Sequence, residues 1–81
     1  MTVLAVFRSR AQTLDFVSLL RSYGIVAAAV NTPKEAGVGC GISAKFDERF
    51  FQRVKLALTK KSYSAFAGFM RQVGGTFVYI R

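Results

Sequence analysis

The hydrophobic pattern of this chain changes period repeatedly, and the order of those changes restricts the folds open to it. Residues 2–8, TVLAVFR, are a continuous apolar, β-prone run, short enough for a buried strand. Ser9 follows as an N-cap whose hydroxyl can accept from a free amide of the first helical turn. From there Ala11, Leu14, Val17 and Leu20 recur every three residues, with Phe16 and Tyr23 widening the stripe. That predicts an amphipathic helix over 10–23, closed by Gly24. Residues 25–30, IVAAAV, read as a second strand, ended by Asn31, Thr32 and Pro33. A glycine-containing loop comes next. From Cys40 the pattern alternates, with Cys40, Ile42, Ala44 and Phe46 on one face of a third strand. Asp47 caps a second helix, Glu48 suits its positive end, and Phe50, Val54, Ala57 and Leu58 give it an apolar stripe. Residues 65–73 are expected to form a short third helix closed by Gly74 and Gly75, and TFVYI a last strand.

The resulting order, β-α-β-β-α-(α)-β, predicts an α+β fold of the ferredoxin-like, split β-α-β sandwich type. It would have a four-stranded antiparallel sheet, two main helices on one face and a short extra helix near 64–73. The expected shared core is Leu14, Val17, Leu20, Ile42, Phe46, Phe50, Val54 and Leu58. No repeat, linker or low-complexity stretch divides the chain, so residues 1–81 are read as a single domain.

Composition excludes several chemistries. The chain has no histidine, so neither a Ser-His-Asp nor a Cys-His arrangement can be built. Zinc would lack ligands. The four acids are Asp15, Glu35, Asp47 and Glu48, two of them at a helix start, which argues against a paired-carboxylate hydrolase. No metal or cofactor is expected, and any enzymatic part is limited to that of a carrier or transferase accessory. A single cysteine makes no internal disulfide, and the N-terminal residues lack an export pattern, which together point to the reducing cytoplasm. No apolar run approaches the roughly 20 residues that span a bilayer.

Net charge is +8 from twelve Lys/Arg, which favours acidic partners: an acidic protein, RNA or small anions. The cations are spread along the chain, which weakens the nucleic-acid reading. Phe77 and Tyr79, on one face of the last strand, are the candidates for base stacking in a non-catalytic binding module with a structural Cys40. An exposed edge strand and many aromatics also suggest a homodimer.

The stretch TPKEAGVGCGISAKF, residues 32–46, holds the only thiol. Free cysteine is commonly a small buried hydrophobe. Three local features point elsewhere. Cys40 stands at a loop–strand junction. Gly39 and Gly41 leave it without side-chain cover, and their amides can shape an anion-binding concavity. Lys34 and Lys45 lie near in sequence, and a positive setting favours the nucleophilic thiolate form of a cysteine.

This region resembles the selenium/sulfur carrier protein-like family of small bacterial domains. The similarity lies in a β-α start ending in YGIVAAAVNTPKE, then CGISAKF, then a helix opened by Asp-Glu. The matching residues are Pro33, Lys34, Glu35, Cys40, Gly41, Ile42, Lys45 and Phe46, and the likeness runs from residue 2 to about 60. The segment Ser62–Gly75 reads as an insertion. The resemblance implies that Cys40 accepts sulfur or selenium from a donor protein, as a persulfide or selenosulfide, and yields it to an acceptor protein. Lys34, Gly39, Gly41 and Lys45 would hold the anionic product.

Overall fold

The computed structural model describes residues 1–37 and 40–80. In chain order the elements are β1 (Thr2–Phe7), α1 (Arg10–Ser22), β2 (Ala27–Asn31), β3 (Ile42–Asp47), α2 (Phe51–Leu58), β4 (Phe66–Val73) and β5 (Thr76–Tyr79). Single 3-10 turns at Lys34–Ala36 and Glu48–Phe50 precede β3 and α2. The strands form one open sheet in the order β2-β3-β1-β4-β5, with every neighbouring pair antiparallel. Because β1 and β2 are both antiparallel to β3, they run parallel to each other, linked through α1, with β3 between them.

The sheet has five strands, not the four expected, and the segment expected as a third helix is β4. The physical reason lies in β1. Val3, Leu4, Ala5, Val6 and Phe7 are all buried, so this central strand needs a hydrogen-bonded neighbour on both sides. β3 supplies one and β4 the other. AFAGFMRQV is apolar enough for either period, but both faces of the first part of β4 are covered: Phe66 and Phe69 pack under the helices and Ala67 and Met70 on the opposite face, while Arg71, Gln72 and Val73 are exposed. Gly74-Gly75 then forms a tight hairpin turn into β5.

The larger core lies between the sheet and the two helices. Helix α1 contributes Thr13, Phe16, Val17 and Leu20, and α2 contributes Val54 and Ala57. Leu14, expected in this core, is 46% exposed. A strict three-residue spacing drifts around a helix of 3.6 residues per turn, and the buried set instead follows i, i+3, i+4, i+7 from Thr13. Phe46 is buried with this cluster, Phe50 and Leu58 pack against it half-buried, and Ile42 is half-buried at the start of β3.

A smaller cluster of Leu4, Val6, Ala36 and Met70 occupies the other face. It is covered by the segment that follows β2, which crosses the sheet to the far edge. There the Glu35 carboxylate accepts from the Thr76 hydroxyl at 2.8 Å and from the Phe77 N–H at 3.0 Å. The Tyr79 hydroxyl donates to the Ala36 carbonyl at 2.8 Å. The Tyr79 ring lies over Gly68, where a Cβ would stand 3.2 Å from it.

Candidate functional site

The loop that carries Cys40 is closed at its base. The Thr32 N–H donates to the Gly41 carbonyl at 2.9 Å, and the Thr32 and Ser43 hydroxyls meet at 2.7 Å. Ser43 is fully buried, so this second contact satisfies a group that water cannot reach. Gly41 turns the chain into β3 with a φ of 89°, a conformation that costs glycine little.

Cys40 is half-buried and belongs to neither apolar cluster. Its Sγ lies 3.2 Å from the Ile42 carbonyl oxygen, 3.4 Å from that of Phe7 and 3.6 Å from Thr13 Oγ1. The sulfur thus sits where the end of β1, the first turns of α1 and the start of β3 converge. Each element is fixed locally. Ser9 accepts from the Gln12 N–H at 3.2 Å and so caps α1, as its place before the helical stripe predicts. Thr13, one turn on, donates to the Ser9 carbonyl at 3.0 Å and faces the Ile42 carbonyl at 3.4 Å.

A short wall stands beside this corner. Gln12 accepts from the Ala65 N–H at 2.9 Å and donates to the Ser64 hydroxyl at 3.1 Å. The Arg8 N–H donates to the Ala65 carbonyl at 2.7 Å. Asp15 accepts from the Tyr63 hydroxyl at 2.7 Å and from Lys61 at 3.0 Å. The Tyr63 and Lys61 donors hold the Asp15 carboxyl below the usual carboxylate range. Burial, with Asp15 as acceptor, pushes the Tyr63 hydroxyl far above the ordinary tyrosine range. The Tyr63 ring meets Phe7 and Phe16 edge-on, at 5.5 and 5.3 Å between centroids.

The residues singled out in the sequence are distributed unevenly. Cys40 and Gly41 are adjacent at the corner. Lys34 is exposed on the 3-10 turn of the same loop. Lys45 is exposed on β3 opposite Leu4 and Ala28, toward the far end of the strand, and lines a cleft with Thr2, Asp47 and Arg49. Gly39 lies outside the described residues. Phe77 and Tyr79 share a face of β5, but that face is occupied: Phe77 packs on the smaller cluster and Tyr79 on Gly68.

Thr13 was missed, although the sequence carries a signal for it. A polar residue on the inward stripe of α1, three and four positions before Phe16 and Val17, needs a buried partner. The oxygens it meets come from residues distant in sequence and only the fold reveals them.

The half-buried Cys40 directs its thiol at oxygen atoms, with no imidazole and no carboxylate hydrogen-bonded to it among the described residues. Among those residues it has no general base of its own within hydrogen-bond reach. No helix among the described residues is long and apolar enough to cross a membrane.

No curated protein and no solved structure matches the chain. A family model described as Putative Se/S carrier protein-like matches residues 2–67. The match runs from β1 through the Cys40 loop into the start of β4, past the expected limit near 60 and into the segment read as an insertion. It takes in the greater part of the chain, which therefore belongs to the Putative Se/S carrier protein-like family.

Proposed function

We propose that the protein carries sulfur or selenium on Cys40, as a persulfide or selenosulfide, between a donor and an acceptor protein. The observation that carries this reading is the position of the only thiol. Cys40 is half-buried, outside both apolar clusters and hydrogen-bonded to oxygens on its inner side, within the region that matches the family. The strand order β2-β3-β1-β4 supports a ferredoxin-like scaffold for the carrier, with β5 added at one edge.

The chemistry needs little from the carrier. The Cys40 sulfur attacks the outer sulfur of a donor persulfide. The donor S–S bond breaks, a new S–S bond forms on Cys40, and the donor leaves as a thiol. An acceptor thiol then attacks the outer sulfur in the same way and Cys40 returns as a thiol. Electrons balance in both steps, so no separate oxidant and no second cysteine are required. The partner supplies any base. Lys34 and the Gly39–Gly41 amides would attract the anionic persulfide, with Lys45 contributing at longer range. Such exchange suits the reducing cytoplasm, where the thiol stays free.

Incubation with a cysteine desulfurase and cysteine should raise the intact mass by about one sulfur atom, reversibly with reductant. Cys40→Ser should abolish the gain and keep the circular dichroism of the folded chain. Native protein should also be alkylated by iodoacetamide. A thiol that reacts only after denaturant is added would end the carrier reading.

A further inference from the structure

The sheet has two outer edges, and they are finished differently. At β5 the outward N–H of Phe77 is taken by Glu35, and the turn before it is held by the same carboxylate through Thr76. At β2 the Thr32 N–H is bonded inward to Gly41, so the alternation of an antiparallel ladder turns Ala28 and Val30 inward as well. Ala27, Ala29 and Asn31 then face outward. Arg21 Nε covers the Ala27 carbonyl at 2.9 Å. No hydrogen bond covers the main chain of Ala29 or Asn31 on this side among the described residues.

Edge strands are ordinarily blunted by charge, proline or a bulge. β2, AAAVN, has no charge and no proline, and its register with β3 is unbroken. Beside it lies a cleft of about 350 Å³ whose lining includes Val26, Ala28, Val30, Lys45, Arg49 and Phe50. Val26 is 75% exposed at its mouth. The site therefore offers unpaired main-chain groups, an apolar trough and two cations, beside one acid, Asp47, whose carboxylate already accepts from the N-terminal amine and the Arg49 N–H.

Charge decides the occupant. Of the chain's four acids, three are already engaged: Asp15 by Lys61 and Tyr63, Glu35 by Thr76 and Phe77, and Asp47 by the Arg49 amide. Lys45 has no acidic partner among the described residues, and Arg49 reaches Asp47 only at 3.8 Å. A second copy would bring +8 against +8. The geometry points to β2 as an acceptor strand: an extended acidic segment of a partner protein adds antiparallel to it as a sixth strand. Alternate apolar side chains of that segment enter the cleft and its carboxylates meet Lys45 and Arg49. Since β2 runs directly into the loop that bears Cys40, one end of the added strand lies at the thiol corner. The docking itself is independent of any chemistry at Cys40.

The test uses the whole chain, labelled for NMR, and a short capped peptide alternating glutamate with valine. Expected are shifts confined to Ala27–Asn31 and the cleft, with slowed amide exchange at Ala29 and Asn31. Ala29→Pro removes an outward N–H without touching the β2–β3 ladder, and should weaken binding about tenfold or more. Lys45→Glu with Arg49→Glu should abolish binding of the glutamate peptide and permit binding of a lysine–valine peptide. Unchanged folding of each variant is checked by its amide spectrum. Equal affinity for glutamate and lysine peptides in the wild type would overturn the assignment. So would tight binding to Ala29→Pro, no shift in β2 at millimolar peptide, or a peptide-free dimer that protects Ala29.

Discussion

Gly68 is the position where one added methyl group should be felt most. Its φ of 150° disfavours side chains, and the Tyr79 ring fills the space a Cβ would take. Gly68→Ala should cost roughly 1–3 kcal/mol in chemical denaturation. Tyr79→Ala in the same background should relieve the contact but not the backbone strain, so the double variant should be less destabilised than the two single changes added together. Additive losses would show that the ring and the glycine are not coupled. A threonine in a helix says nothing about sulfur, and only the convergence of β1, α1 and β3 puts the Thr13 hydroxyl 3.6 Å from Cys40.

Helix α1 shows how far pattern reading reaches. Its position, its Ser9 cap, the place of Phe16 on the apolar stripe and the burial of Val17 and Leu20 follow from the sequence, whereas the burial of Leu14 does not survive and that of Thr13 was not foreseen. The expected stripe was wider than the face that is buried, and packing against Phe7 and Tyr63 centres that face on Phe16 and leaves Leu14 outside. Leu20→Ala should therefore cost about 2–5 kcal/mol. Leu14→Ala should stay within about 0.5 kcal/mol of the wild type by the same denaturation series. The reverse ranking would mean that the helix is rotated. β4 was illegible for a related reason. Where a strand is covered on both faces, as β4 is over its first five residues, it loses its alternation, and AFAGFMRQV then satisfies helix and strand patterns alike. The Cys40 loop was readable as a motif, but the crossing of its Glu35 to β5 was not. That contact joins residues 41 and 42 positions apart.

For the molecule as a whole, charge governs the response to pH and salt. Asp15, Glu35 and Asp47 all hold carboxyls below the usual range, through bonds from Tyr63, Thr76 and the Arg49 amide respectively. A depressed carboxyl stabilises the fold above its unfolded pKa and loses that contribution as pH falls through its folded value. The melting temperature should stay level from neutrality to about pH 5 and fall below about pH 4. Glu35→Ala should flatten part of that fall, and an unchanged profile would remove Glu35 from the set. The +8 balance should also give weak binding to heparin that disappears with added salt. Binding that persists at high salt would require more than charge.

The crossing segment bears on how the protein is made. A nascent chain emerges N-terminus first, so Cys40 leaves the ribosome well before Thr76, Phe77 and Tyr79. Until those residues arrive, Glu35 and Ala36 have nothing to hold on the far edge. The base of the thiol loop, closed by Thr32, Gly41 and Ser43, can therefore form before its crossing segment finds the far edge, and the two fastenings are separate events in the making of the fold.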